Sequence, residues 1–335
     1  MREAVLGADG DRPSRWTVAL AAAAAVGVVL ASAFAFDIAV PNRGIGVFQL
    51  LSSPTSATLA VAGLVTQFGD PWFLLLTATL LYLLGTERSL VQRPSEGAFV
   101  LAVTFAAFSF IDLLKNVFVA PRPPGAGTVA LPTWLPAVLA GPFRSITTGT
   151  GYAFPSGHAL GTTAVFAALA YRLEAGSGAT RWTVALVGVL LVAASRIVLG
   201  VHFFVDIAVG LLAGASLFAA AAAVGSRDPL RVFALGSILG VLAVVASAVS
   251  PAGEVWKAGQ WLGGSVGAGI AWYVVRPSSQ LSLRETVAAG VPVAVLWVGV
   301  YVTSPPLLVT VVGTAVAAGV TIAAPTLAGR AVEPS

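Results

Sequence analysis

The chain has two histidines in 335 residues, His158 and His202, and each opens an apolar run with basic residues close by. His158 ends the block Pro155-Ser156-Gly157-His158. His202 stands in Ser195-Arg196-x5-His202-x3-Asp206, and an upstream block reads Lys115-x6-Arg122-Pro123. Three fixed cations suit a phosphate: arginine presents a planar fork of donors that matches phosphate oxygens, and Lys115 adds a point charge. Ser156 offers a hydroxyl and is placed to cap the helix that follows. The backbone N–H groups of Gly157 and His158 would point outward at that helix start, a natural anion site, and Gly157 lets the backbone come close to a ligand. His202 and Asp206, four apart, are expected to share one face of a helix. A carboxylate there holds one ring nitrogen protonated, frees the other to attack phosphorus, and stabilises the imidazolium that forms. His158, on a different element, is then available as proton donor to the leaving group. Charge developing on the equatorial oxygens would be met by Lys115, Arg122, Arg196 and N–H groups.

The elements that must position these residues are membrane helices. The chain is 57% hydrophobic and 10% charged, against about 25% charged in a soluble domain, so it cannot cover a globular surface with charge. It reads as an integral membrane protein. There is no cysteine, which excludes disulfides and thiolate ligands, and with one methionine and two histidines no clustered metal site is expected. No cofactor is expected. The formal charge of +4 comes from arginines scattered between apolar runs without a basic patch, so nucleic acid is not an expected partner.

A span needs roughly 20 mostly apolar residues. The polar residues 1–15 carry Arg2, Arg12 and Arg15 and precede a first span over 16–36, read as a retained anchor rather than a cleaved signal. A loop over 37–56 holds a short interfacial helix at 46–51. Residues 57–84 are too short for two spans; they predict one, over about 70–84 plus part of what precedes, with Gly69-Asp70-Pro71 as a broken or capped end. The next span is 98–114. Residues 115–155 are rich in proline and glycine and cannot cross lipid as irregular backbone, so they are expected at the surface, with short turns around 134–139. Spans follow over 158–171, 183–199 and 202–224, then a charged hinge at 227–231. Four plainer spans lie over 233–250, 261–275, 286–303 and 307–324. The expected architecture is an all-α, polytopic membrane bundle of ten spans, divided into a site-bearing part, 1–226, and a part of unassigned role, 227–335.

Charge bias sets the orientation. With a cytoplasmic N-terminus, the inside holds twelve basic residues: Arg2, Arg12, Arg15, Arg88, Arg93, Arg172, Arg181, Arg227, Arg231, Arg276, Arg284 and Arg330. The outside holds six: Arg43, Lys115, Arg122, Arg144, Arg196 and Lys257. This is the excess the positive-inside rule prefers. Lys115, Arg122, Arg144 and Arg196 run against the bias beside the histidines, as a functional site would require. Both termini are then cytoplasmic, and the three polar blocks meet at the outer face of a cell membrane.

The segments KNVFVAPRP, PSGH and SRIVLGVHFFVD resemble the three signature blocks of the type 2 phosphatidic acid phosphatase family, the membrane branch related to vanadium haloperoxidases. The likeness covers about residues 98–224 and has all three blocks in the family's order. It implies a six-helix core and a phosphate site of Lys115, Arg122, Ser156, Gly157, His158 and Arg196. It further implies His202 as a nucleophile forming a phosphohistidine, Asp206 as its partner, and His158 as acid and then base.

The expected function is metal-independent hydrolysis of a membrane lipid phosphate or diphosphate, such as a polyprenyl diphosphate, phosphatidic acid or phosphatidylglycerol phosphate. An outward site favours recycling of an isoprenoid diphosphate carrier. The rival readings are transfer of the same phosphoryl group to a lipid or sugar hydroxyl, transport, and haloperoxidase chemistry. Transporter sites lie near the midplane on broken helices, whereas these charges sit at span ends. Arg144 reads equally as a lid residue and as a plain loop arginine. Gln67 and Asp70 read as polar lining or a helix end. Trp16, Trp72, Trp182, Trp256 and Trp261 lie near span ends, as interface anchors do.

Overall fold

A computed structural model describes residue 43, residues 54–225, 228–276 and 302–332, and positions 285, 290, 291, 294, 295 and 297–299. The described residues are helical and contain no strand, as the composition implies. Helix α1, Ser56–Thr66, starts at Thr55, whose hydroxyl accepts from the Thr58 N–H at 3.2 Å. A 3-10 turn, Gln67–Gly69, leads to Asp70, which is extended, and then to α2, Pro71–Leu84. Proline cannot donate to the preceding turn and disfavours a helical residue before it. The two helices are therefore bent by 44° and together make one broken span. This is the break expected at Gly69-Asp70-Pro71.

The centre of the bundle is α3, Pro94–Phe118, with 83% of its apolar window buried. Pro94 occupies its first turn, and the Glu96 carboxylate accepts from the N–H groups of Gln92 and Arg93 at 2.8 and 3.3 Å. The helix is longer at both ends than the expected 98–114. Its C-cap is Val119 in the left-handed conformation, just before Pro121. Lys115 consequently lies in the last turn of α3 and not in the following loop. That loop is not wholly irregular: a 3-10 turn at Ala137–Leu139 runs into α4, Ala140–Thr147.

Around α3 stand α5, Gly157–Arg172; α6, Gly178–Val198; and α7, Phe204–Gly225. α5 and α7 approach closely along one stripe. A Cβ at Gly210 of α7 would lie 2.8 Å from the Ser156 carbonyl oxygen, and one at Gly214 would lie 2.8 Å from Thr163 Cβ. Small residues four apart allow such contact between apolar helices.

α8, Leu230–Val249, and α9, Val255–Val275, pack on α3, and α10, Leu307–Val332, packs on α9. Gly264 of α9 leaves room for the Phe105 ring, 2.5 Å from a hypothetical Cβ, and a Cβ built on Gly236 of α8 would lie 2.6 Å from Ser265 Oγ. Phe108 stacks on Trp261 at 4.6 Å, and the Tyr82 hydroxyl donates to the Ile322 carbonyl at 2.6 Å. One buried cluster thus extends from Leu74 of α2 to Ile322 of α10. The expected boundary near residue 226 falls on residues 226 and 227, outside the described ones.

Among the described residues, five helices are long and apolar enough to cross a membrane, and the bent α1–α2 pair makes a sixth. α5, with 16 residues, is about 24 Å long, short of the roughly 30 Å hydrocarbon core. Of the ten expected spans, that over 16–36 lies outside the described residues, as does the short helix at 46–51, and half of that over 286–303 does. The outer faces are apolar: Leu186, Leu190 and Leu191 of α6 and Ile238, Val241 and Val245 of α8 are exposed. A continuous surface of this kind fits lipid, as expected for a multi-pass membrane protein.

Candidate active site

His202 and Asp206 meet, though not on one helix as expected. Gly200 turns the chain with a φ of 66°, α7 begins at Phe204, and His202 stands in the loop before it. Asp206 lies in the first turn of α7. It reaches back, and its Oδ2 accepts from the Phe203 N–H at 3.0 Å and lies 3.3 Å from His202 Nδ1. The carboxylate is therefore an N-terminal cap and a histidine partner at once. Its Oδ1 is held by Arg43 Nη1 at 2.6 Å, and Arg43 Nη2 donates to the Pro121 carbonyl. His202 and Asp206 are fully buried.

Arg122 stands on the other side of the imidazole. Its Nη1 is 3.3 Å from His202 Nε2 and donates to the Val201 carbonyl at 2.8 Å, while its Nε donates to the Thr150 carbonyl at 2.9 Å. Gly149 provides the space: a Cβ there would lie 2.7 Å from Nη1. Arg196, in the last turn of α6, donates from Nη1 to Thr66 Oγ1 at 2.7 Å, and its buried Nε has no hydrogen-bond partner among the described residues. Lys115 Nζ lies over the start of α5, 3.6 Å from a Cβ built on Gly157. Ser156 caps α5, its hydroxyl accepting from the Ala159 N–H at 3.4 Å, and its own N–H donates to the Asp206 carbonyl at 2.9 Å. The second and third sequence blocks are thus joined through backbone. Arg144 is exposed on α4.

His158 lies in the first turn of α5 with Nε2 3.4 Å from Asp70 Oδ1. The ring packs flat on the α1–α2 break: Cδ2 is 3.1 Å from a Cβ built on Gly69. Gln67 does not join the site. It accepts from the Trp72 indole at 3.2 Å. Two residues that the blocks do not contain therefore belong to the cluster, Asp70 and Arg43. Each carried a signal. Asp70 is an acid within an apolar run, where a charge is costly and usually functional. Arg43 is one of the six cations expected from the charge bias on the face with fewer of them.

Burial pushes the His202 imidazole well below its usual 6.5, and the charges of Arg122, Arg196, Lys115 and His158 push the same way. His202 is held neutral, with Nδ1–H turned to Asp206 and the Nε2 lone pair turned toward Arg122. Burial lowers Arg122 to about 10, with Asp206 acting in the opposite sense, so the guanidinium keeps its charge at neutral pH. Arg43 is likewise lowered by burial and supported by Asp206. A neutral, oriented nucleophile beside three cations and a capped helix start has the equipment to take a phosphoryl group.

Comparison with known protein families matches residues 97–228 to the PAP2 superfamily. This range includes all three sequence blocks and leaves out Arg43, Asp70, α1, α2, α8, α9 and α10. No curated protein and no solved structure matches the chain.

Proposed function

We propose, on the match of residues 97–228 to the PAP2 superfamily, that the chain removes a phosphate or phosphoryl group from a membrane lipid through a phosphohistidine on His202. The observation that carries this reading is the state of one ring. Asp206 takes Nδ1 at 3.3 Å, which leaves Nε2 with its lone pair facing Arg122 Nη1 at 3.3 Å. In the first step Nε2 forms a bond to phosphorus, and the bond to the leaving oxygen breaks. His158, protonated, gives its proton to that oxygen; its Nε2 faces Asp70, so Nδ1 is the nitrogen that serves. Arg122, Arg196, Lys115 and the N–H groups of Gly157 and His158 bind the three equatorial oxygens as charge builds. In the second step His158 removes a proton from water, the oxygen bonds to phosphorus, and the P–N bond breaks. Inorganic phosphate leaves, and His202 returns to its neutral state. An alcohol in the place of water would give the transfer reaction.

The charge bias of the loops puts this site at the outer face, at headgroup depth. The lipid-facing helices around it let an amphiphilic phosphate reach the site without leaving the bilayer. Polyprenyl diphosphate, phosphatidic acid and phosphatidylglycerol phosphate are the candidate substrates. The test is phosphate release by the purified protein in detergent and EDTA, over these lipids and a soluble phosphate ester, with His202→Ala beside it. Release that disappears in the variant is the expected result. No release from any lipid, with or without added alcohols, would overturn the reading, and equal release by wild type and variant would reject His202 as nucleophile.

A further inference from the structure

We infer that Arg43, which lies outside the PAP2 match, is a positioning residue of the reaction, holding Asp206 and the Arg122 loop in the register that aims His202 at phosphorus. The inference rests on the phosphohistidine reading above. Its basis is the number of parts that one side chain joins. Nη1 donates to Asp206 Oδ1 at 2.6 Å, and Nη2 donates to the carbonyl of Pro121, the residue before Arg122. The guanidinium carbon lies 5.0 Å from the Phe203 ring centroid and 6.0 Å from that of Phe154, which precedes the Pro155-Ser156-Gly157-His158 block. The Arg43 carbonyl accepts from the Val205 N–H at 3.4 Å. All three sequence blocks therefore meet at Arg43, whose side chain is fully buried.

The geometry explains why this cation is an arginine. Asp206 must keep Oδ2 on His202 Nδ1 and the Phe203 N–H, and this fixes the plane of the carboxylate. A donor on Oδ1 prevents its rotation. A second, coplanar donor on Pro121 ties that plane to the backbone that presents Arg122. A guanidinium spans both acceptors with one rigid fork, whereas an ammonium is a point charge on a flexible stem and cannot hold both in the same way. Without Arg43 the buried carboxylate loses its charged partner. The His202 ring then loses its fixed tautomer, and the gap between His202 and Arg122 is free to change.

A plain buried ion pair would support folding and leave turnover intact, so the test separates kcat, KM and chemical rescue. Arg43→Ala and Arg43→Lys are compared with wild type and His202→Ala as full chains in detergent, on the best lipid of the panel, with and without guanidinium chloride at non-denaturing concentration. The expected result for Arg43→Ala is a fall in kcat on the order of 10²-fold with KM nearly unchanged, as for a group that orients a catalytic histidine. Guanidinium restores part of that kcat in Arg43→Ala and none in His202→Ala. A monodisperse Arg43→Ala protein with kcat within about threefold of wild type, a loss confined to KM, or an absence of rescue overturns the proposal. If Arg43→Ala does not fold, Arg43→Lys decides: at unchanged melting temperature its kcat falls at least about tenfold, and a wild-type kcat overturns the proposal. Phosphate release by wild type that is lost in His202→Ala keeps the phosphohistidine reading whatever Arg43 does. No release by wild type rejects that reading and the role of Arg43 with it.

Discussion

Asp70 Oδ1 stands 3.4 Å from Nε2 of His158, across the break between α1 and α2. The carboxylate comes from the one extended residue between two helical segments, and the imidazole packs against the glycine before it. The site thus contains two carboxylate–imidazole pairs, one for each histidine. A carboxylate beside the proton-transferring ring fixes its orientation and is its counterion while it carries two protons. Asp70→Asn is expected to lower kcat by about one to two orders of magnitude, within the range that a general acid contributes, with KM little changed. Steady-state kinetics on the lipid substrate checks this. A wild-type kcat would mean that the pair has no part in turnover.

Leaving-group chemistry separates the two histidines. His158→Ala should lose on the order of 10²-fold or more on an alkyl lipid phosphate, whose oxygen must be protonated to depart. On an aryl phosphate with a good leaving group the loss should be much smaller, and labelled phosphohistidine should accumulate because the second step still lacks its base. Acid quench would destroy that adduct, so alkaline quench of a single turnover is the measurement. Equal losses on both substrates would remove His158 from the acid role.

The depressed His202 fixes the sign of a pH effect. Protonation silences the nucleophile, and burial with the surrounding cations keeps the proton off below the usual 6.5. The acid limb of kcat/KM that belongs to His202 should therefore lie below pH 6.5. Arg122 is the largest of the charge contributions, so Arg122→Gln should move that limb to higher pH, whatever it does to the absolute rate. Between the folded value and 6.5 the unfolded chain binds more protons, so the His202 contribution to stability is present above pH 6.5 and is lost on acidification. A pH–rate profile of both proteins and melting temperatures from pH 7 to 5 test the two statements.

The α5–α7 seam should be intolerant of a single methyl group. A Cβ at Gly210 would sit 2.8 Å from the Ser156 carbonyl, so Gly210→Ala must push the start of α5, with His158 and the cap, away from α7. A loss of about 1–3 kcal/mol is expected for overpacking. Gly141→Ala is the control: nothing lies within 4 Å of its Cβ, and the change should be neutral or slightly stabilising. Thermal unfolding in detergent distinguishes them.

The C-terminal helices reach the same end of the bundle. The Tyr152 hydroxyl is 2.9 Å from Ser250 Oγ and accepts from the Ala252 N–H at 2.9 Å, joining the segment before His158 to the α8–α9 loop. Tyr152→Phe removes the acceptor and should lower stability by about 1 kcal/mol. Hydrogen exchange should show faster opening of the Ala252 amide.

The three polar blocks were legible because their residue types are rare in an apolar chain and each lies at the end of an apolar run. The helix ends were less so. Lys115 belongs to α3 because the helix continues to a left-handed Val119, and residues 115–118 show no break in periodicity that would mark where the loop starts. His202 leaves the helix because of the turn at Gly200, which a four-residue spacing to Asp206 does not reveal. Asp70 and Arg43 were visible as misplaced charges, but their partners are distant in sequence. No local pattern links Asp70 with His158 or Arg43 with Asp206, since both pairs join segments far apart in sequence.

Arg43 and Asp206 are 163 residues apart. A chain still being synthesised exposes the arginine long before the aspartate exists. While residues 43–205 are being made, the guanidinium lacks the carboxylate it pairs with in the folded protein. The cation can move inward only after α7 has begun, and His202, four residues ahead of Asp206, gains its orienting carboxylate at the same moment. On the proposed mechanism, completion of the nucleophile is therefore a late event in biogenesis, and a translation product stopped before residue 206 would carry Arg122 and Arg196 without Asp206 to orient His202.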